Sequence, residues 1–98
     1  MNISPLELFL LDHLRARAPA SADPVEVARA FHAATQPDDT DPEAWHRHLS
    51  AVRRAAMRLA GLGQVEILRK GKPVAAEAAR GVIRLRLQRE GGPPKETA

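Results

Sequence analysis

Apolar positions recur at helical spacing in three stretches of the chain and then switch to alternation near its C-terminal end. In the first stretch, Leu6, Phe9, Leu10 and Leu14 follow Ser4-Pro5-Leu6-Glu7. That tetrapeptide is a capping box with proline at the first helical position. The spacing predicts a helix over 5–17, closed by Pro19. Asp23-Pro24-Val25-Glu26 repeats the start signal, and Val27, Ala28, Phe31 and Ala34 give a second helix over 24–34 its apolar stripe. The polar stretch 35–41 reads as a loop. Asp41-Pro42 is expected to open a third, longer helix, in which Trp45, Leu49, Val52, Ala56 and Leu59 step by 4, 3, 4 and 3. Gly61 and Gly63 supply the left-handed residues that end it.

The pattern then changes period. Val65-Glu66-Ile67-Leu68 has strand character, Arg69-Lys70-Gly71-Lys72-Pro73 reads as a turn, and Val82 to Leu87 alternates. Ile83, Leu85 and Leu87 are expected to point inward, with Arg84 and Arg86 outward. The alanine-rich stretch 74–81 reads as a loop or a single helical turn. Two helices, a longer helix and a two-stranded hairpin make an α+β fold in the order of a winged helix. The third helix takes the recognition position and the segment around 69–81 is the wing.

Length and composition narrow this further. Ninety-eight residues suffice for a single core, here a domain over 1–89. Residues 90–98, with two adjacent glycines and two adjacent prolines, read as a disordered tail. The absence of cysteine removes disulfides, thiol nucleophiles and cysteine-ligated zinc, and fits a cytoplasmic setting. No apolar run approaches the ~18 residues needed to span a membrane, and the N-terminus does not read as a signal peptide.

The charge is divided unevenly. Residues 1–45 hold three arginines against eight acids, a net of −5, whereas residues 46–98 hold twelve Lys/Arg against four acids, a net of +8. A basic half of this kind points to an anionic partner. On the third helix, Arg47, Arg54 and Arg58 lie on one stripe at i, i+7 and i+11, beside a second stripe of His46, Ser50 and Arg53. Both lie away from the Trp45 face. His46, Arg47 and Ser50, in the first turns, are candidates to read base edges. Arg53, Arg54 and Arg58 are candidate DNA contacts farther along, the last two for phosphate, and Arg69, Lys70 and Lys72 place three positive charges at the wing. The expected partner is therefore double-stranded DNA. Asp38, Asp39, Asp41 and Glu43 oppose this, because they crowd the end of the helix that would approach phosphate. Asp41 and Glu43 read as helix caps; Asp38 and Asp39 have no such role in sequence.

The run Asp23-Pro24-x-Glu26-Val27-Ala28-Arg29, then Trp45, then Val52-Arg53-x-Ala55-Ala56-x-x-Leu59-x-x-x-Gly63 resembles a set of short bacterial proteins grouped as a domain of unknown function. Lys70-Gly71-Lys72-Pro73-Val74 and Gly81-x-Ile83-Arg84-Leu85-Arg86 fit the same pattern. The resemblance spans about residues 5–88 and implies a winged-helix fold, without an activity or functional residues. The position after Val74 is often acidic in such proteins; here it is Ala75.

Other chemistry finds little footing. His46 and His48 are two apart, on different sides of a helix, and His13 and His32 fall on other helices, so no metal site is expected. Ser4, Ser21 and Ser50 lack a nucleophile motif such as G-x-S-x-G, and Gly61-Leu62-Gly63 reads as a helix stop. No enzyme activity and no cofactor are expected. Trp45 reads as core, sharing one cluster with Leu49, Val52, Leu59, Phe9 and Phe31. Arg29 is expected to pair with Glu26 or Glu43 or to remain solvated. The alternative partner is another protein, met by a winged helix that binds no DNA.

Overall fold

The computed structural model describes residues 3–75 and 81–88. Three helices, α1 (Pro5–Arg17), α2 (Pro24–Thr35) and α3 (His46–Gly61), precede three strands, β1 (Val65–Arg69), β2 (Lys72–Val74) and β3 (Arg84–Leu87). Most of the stretch expected to be a loop or helical turn, and the expected tail at 90–98, lie outside the described residues.

The first two helices begin where their cap residues dictate. Ser4 Oγ accepts the Glu7 N–H at 3.1 Å while the Ser4 N–H donates to Glu7 Oε1 at 2.9 Å, completing the capping box. The Asp23 carboxylate accepts the Val25 N–H at 2.8 Å, with Pro24 behind it. The third helix starts later than its acid-proline signal predicts. Asp41 accepts the Glu43 N–H at 2.9 Å, and Ala44, His46, Arg47 and His48 each donate to the carbonyl three residues earlier. This tight bonding holds 42–45 as a turn. Regular helix begins at His46, and Trp45 becomes its N-cap residue with no side-chain cap of its own.

The sheet has three antiparallel strands in the order β2-β1-β3, one more than the hairpin expected. The added strand arises because the turn after β1 is only two residues long. Lys70 (φ 54°) and Gly71 (φ 81°) are both left-handed, as a primed two-residue hairpin turn requires. Arg69 therefore faces Lys72, and Leu68 faces Pro73. Proline is tolerated there because β2 is an edge strand. On the other side β1 pairs with β3, Ile67 facing Leu85. Ala22, between α1 and α2, bridges Leu85 through two backbone hydrogen bonds of 2.8 Å. The helices are thereby tied to the outer edge of β3, giving a winged-helix arrangement.

The core is one cluster drawn from all three helices and the sheet. Leu10, Leu14, Val27, Val52, Leu59, Ile67 and Leu85 are its largest enclosed side chains. Each such aliphatic contributes about 1.5–3 kcal/mol. Of the six residues expected to share it, Val52 and Leu59 lie at its centre. Phe9, Trp45 and Leu49 pack against it from the edge, half-buried. Phe31 is also half-buried and meets Phe9 edge to face, with ring centroids 5.3 Å apart. The aromatics flank the core because α3 begins after Trp45 and because His32, one residue beyond Phe31, takes the buried position. Among the described residues, no helix is long and apolar enough to cross a membrane.

Candidate nucleic-acid interface

The two basic stripes of α3 are present, but the structure gives their members different partners. His46, exposed, lies with Nδ1 3.0 Å from the Glu43 carbonyl oxygen and 3.3 Å from Glu43 Oε1, and stacks on the Trp45 ring at 3.7 Å between centroids. Arg47 donates through Nε to the Ala44 carbonyl, and its Nη2 lies 3.5 Å from Asp39 Oδ2. Two of the three side chains expected to read bases, His46 and Arg47, are thus each held beside a carboxylate. Arg54 Nη1 donates to Ser50 Oγ at 2.9 Å, so these two candidates occupy one another without neutralising the guanidinium. Arg53 Nη2 donates to the Gly81 carbonyl at 3.3 Å, which links the side of α3 to the chain re-entering the sheet.

Arg58 differs from the rest of its stripe. Its Nη1 lies 2.8 Å from Oε1 of Glu7, a carboxylate only 7% exposed. The Ser4 backbone N–H first, then Arg58, hold the Glu7 carboxyl below the ordinary glutamate range against the opposing effect of burial. A phosphate contact by Arg58 competes with this pair.

At the wing, Arg69, Lys70 and Lys72 are exposed and have no carboxylate partner among the described residues. Their neighbours in the sheet are paired: Arg86 Nε donates to Glu66 Oε1 at 2.8 Å, and Arg84 donates to Ser21 Oγ and to the Ser21 carbonyl. Leu68, Val82 and Ser21 line an open cleft of about 460 Å³ beside Arg69, Lys70 and Arg84. Val82 is 84% exposed.

Asp39 and Asp41, two of the acids ahead of α3, have structural work. Asp39 Oδ1 accepts the Asp41 N–H at 2.9 Å, and Asp39 Oδ2 lies 3.0 Å from His32 Nε2. The Asp41 N–H first, with His32 and Arg47 adding to it, holds the Asp39 carboxyl below the usual aspartate range. The sequence assigned Asp39 no structural role because its main side-chain partner, His32, lies on another element.

Two further groupings escaped the sequence reading. Arg29 is exposed, as its solvated alternative expects, and lies over the Trp45 ring, 4.7 Å from its centroid, rather than beside an acid. Glu26, its other anticipated partner, is taken by His13 at 2.9 Å and Arg17 at 2.6 Å. His32 Nδ1 lies 3.0 Å from His48 Nε2, joining α2 to α3. The available signal for that pair was the place of His32 on the inward face of α2, four residues after Ala28.

The order of helices, the sheet behind them and the basic side chains on α3 and the β1–β2 turn define a winged-helix domain with an electropositive flank. Its family can be stated as well: the chain belongs to the family described as "Protein of unknown function (DUF3253)", whose pattern matches residues 4–88. No curated protein matches the chain.

Proposed function

We propose that this domain binds double-stranded DNA through the outer face of α3 and the β1–β2 turn, holding chiefly the phosphate backbone. The observation that carries the reading is the set of exposed cations without carboxylate partners among the described residues. Arg69, Lys70 and Lys72 lie at the wing, and Arg54, bound only to the neutral Ser50 hydroxyl, lies on α3. Free cations release counterions when they meet phosphate, which drives association irrespective of sequence. Base reading by the first turn of α3 is disfavoured, because Glu43 and Asp39 already occupy His46 and Arg47. In this reading the protein is a DNA-binding module rather than an enzyme, with regulation of transcription as its simplest use.

The test is a titration of labelled duplexes of unrelated sequence at low and moderate salt. Affinity is expected to fall steeply with salt and to differ little between sequences. Replacing Lys70 and Lys72 by alanine should weaken binding to every duplex alike and flatten the salt slope by about one unit per lost contact. No binding at about 50 mM salt, where non-specific attraction is strong, overturns the proposal.

A second reading has one observation in its favour. Leu68 and the exposed Val82, lining a cleft beside Arg69, Lys70 and Arg84, have the character of a protein-docking surface, an apolar centre with a charged rim. Failure of the duplex titration shifts the assignment to a protein-interaction module.

A further inference from the structure

Asp39, His32 and His48 form a chain of hydrogen bonds across the turn between α2 and α3. Asp39 Oδ2 lies 3.0 Å from His32 Nε2, and His32 Nδ1 lies 3.0 Å from His48 Nε2. His32 is only 8% exposed. Against His48 stands Phe31, its ring edge-on at 5.2 Å. Phe31 meets Phe9 of α1, which in turn stacks on His13. The charged groups facing the pair are Asp39 from the loop and Arg47 from α3, themselves 3.5 Å apart. His13 on α1 stands beyond the two phenylalanines and is matched by Glu26. One side of His32 borders an open cleft of about 540 Å³, shared with Arg29, Asp39, Asp41, Glu43 and Trp45.

Counting protons along this chain fixes its behaviour. Ionised Asp39 accepts only, so His32 carries a proton on Nε2. One proton, and only one, fits between His32 Nδ1 and His48 Nε2. With both rings neutral, His48 donates from Nε2 and every bond is made. A further proton is accommodated at His48 Nδ1. The charge then resides on either ring, depending on which nitrogen holds the shared proton, and both hydrogen bonds survive. Another proton has no site except between the two facing nitrogens, where two N–H groups would collide and two imidazolium charges would repel. The pair is therefore a coupled site with a capacity of one added proton.

We propose that His32 and His48 form a one-proton latch between α2 and α3, closed at neutral pH and with one added proton, and opened by a second. Burial first, and then the charges of His32 and Arg47, hold His48 below the ordinary histidine range, in keeping with a site that resists full protonation. In the unfolded chain both rings take up protons freely near pH 6.5. On unfolding, the two rings therefore take up about one more proton from solution below that pH, and stability falls as pH falls. The corresponding decline in the folded-to-unfolded ratio approaches tenfold per pH unit. The opening acts on the angle at which α3 is held, because these bonds span the turn between the two helices.

The experiment is a pH titration of the full-length chain followed by the imidazole ¹⁵N and ¹H signals of all four histidines, together with denaturant unfolding at each pH. The expected result is one protonation step sensed by both His32 and His48, with the Phe31–His48 ring contact retained. The second step falls at lower pH and coincides with loss of that contact. His48→Gln offers both a donor and an acceptor to His32 Nδ1, so it should keep the fold yet remove most of this stability slope between about pH 6.5 and 5. Independent titration of the two rings near ordinary values, or a doubly protonated pair that keeps the ring contact, overturns the proposal, as does a slope unchanged in His48→Gln. Should that variant fail to fold, the wild-type titration decides alone. Neither readout involves DNA.

Discussion

Arg58 Nη1 lies 2.8 Å from Glu7 Oε1, which ties the last turns of α3 to the first turn of α1 across 51 positions of sequence. The same Glu7 oxygen accepts the Ser4 N–H that closes the capping box. A cation placed by helical spacing on a binding face is therefore also part of the scaffold. Truncating Arg58 to alanine leaves a largely enclosed carboxylate short of a donor, with an expected cost of about 1–3 kcal/mol. Urea unfolding followed by circular dichroism measures it, and a loss below about 0.5 kcal/mol, the level of an ordinary surface change, contradicts the assigned role.

The pH response of this contact has a definite sign. The Ser4 N–H, followed by Arg58, keeps Glu7 below the ordinary 4.5 in the folded chain. Its contribution is fully present above that value and is lost as pH falls through the folded-state value. Melting temperature should decline as pH is lowered below about 4.5, and Glu7→Gln should start lower at neutral pH but decline less. Asp39 contributes with the same sign at still lower pH, its ordinary value being 3.8 and the Asp41 N–H its main support.

The fold was far more legible than the site. Capping residues act within three positions of themselves, so Ser4, Glu7 and Asp23 announced α1 and α2 correctly, and the alternation of Ile83, Leu85 and Leu87 announced β3. The start of α3 was misplaced because Asp41 supports a turn and a helix with the same side-chain bond. Strand β2 was missed because Pro73 discourages a strand reading, and nothing local shows that its place is at an edge. The side-chain partners Arg58–Glu7, His32–His48 and Arg29–Trp45 are long-range. Spacing along one helix shows which residues share a face, and is silent about what another helix brings against that face.

Lys70 separates turn strain from wing charge. It is left-handed without being glycine, at a position of a two-residue hairpin turn that favours asparagine. Lys70→Asn should raise stability by about 0.5 kcal/mol by easing the backbone, while lowering duplex affinity through the lost cation. Gly71→Ala meets no atom within 4 Å, so its cost is backbone strain alone, about 1 kcal/mol. Thermal melts of both variants check these values. A Lys70→Asn variant that binds duplex as tightly as the parent removes Lys70 from the interface.

Trp45 is held by its faces rather than its nitrogen. Arg29 lies over the ring and His46 stacks on it, while the buried Nε1 has no hydrogen-bond partner among the described residues. Trp45→Ala should cost about 2–3 kcal/mol, below the usual range for a fully enclosed tryptophan because this one is half-buried. Trp45→Phe should cost less than about 1 kcal/mol, since it keeps an aromatic face and relieves an unsatisfied donor. Chemical denaturation followed by circular dichroism reports both. A phenylalanine variant as unstable as the alanine one shows that the indole N–H is satisfied in solution.

Arg54 and Arg58 lie four residues apart on α3 and separate binding from folding most directly. Arg54 is exposed and bonded to a neutral hydroxyl, so alanine there removes no ion pair and stability should change by less than about 0.5 kcal/mol. If the outer face of α3 meets phosphate, the same change should weaken duplex binding and flatten the salt slope by about one unit. Arg58→Ala should do the reverse, lowering stability while altering the slope of the folded protein little, because Glu7 already neutralises the guanidinium. Unfolding and duplex titration measured side by side on the two variants expose the contrast. Equal effects of Arg54→Ala and Arg58→Ala on the salt slope would mean that the Glu7 pair opens when DNA binds. An Arg54→Ala variant with an unchanged slope would take this face of α3 out of the proposed interface and leave the wing cations to carry it.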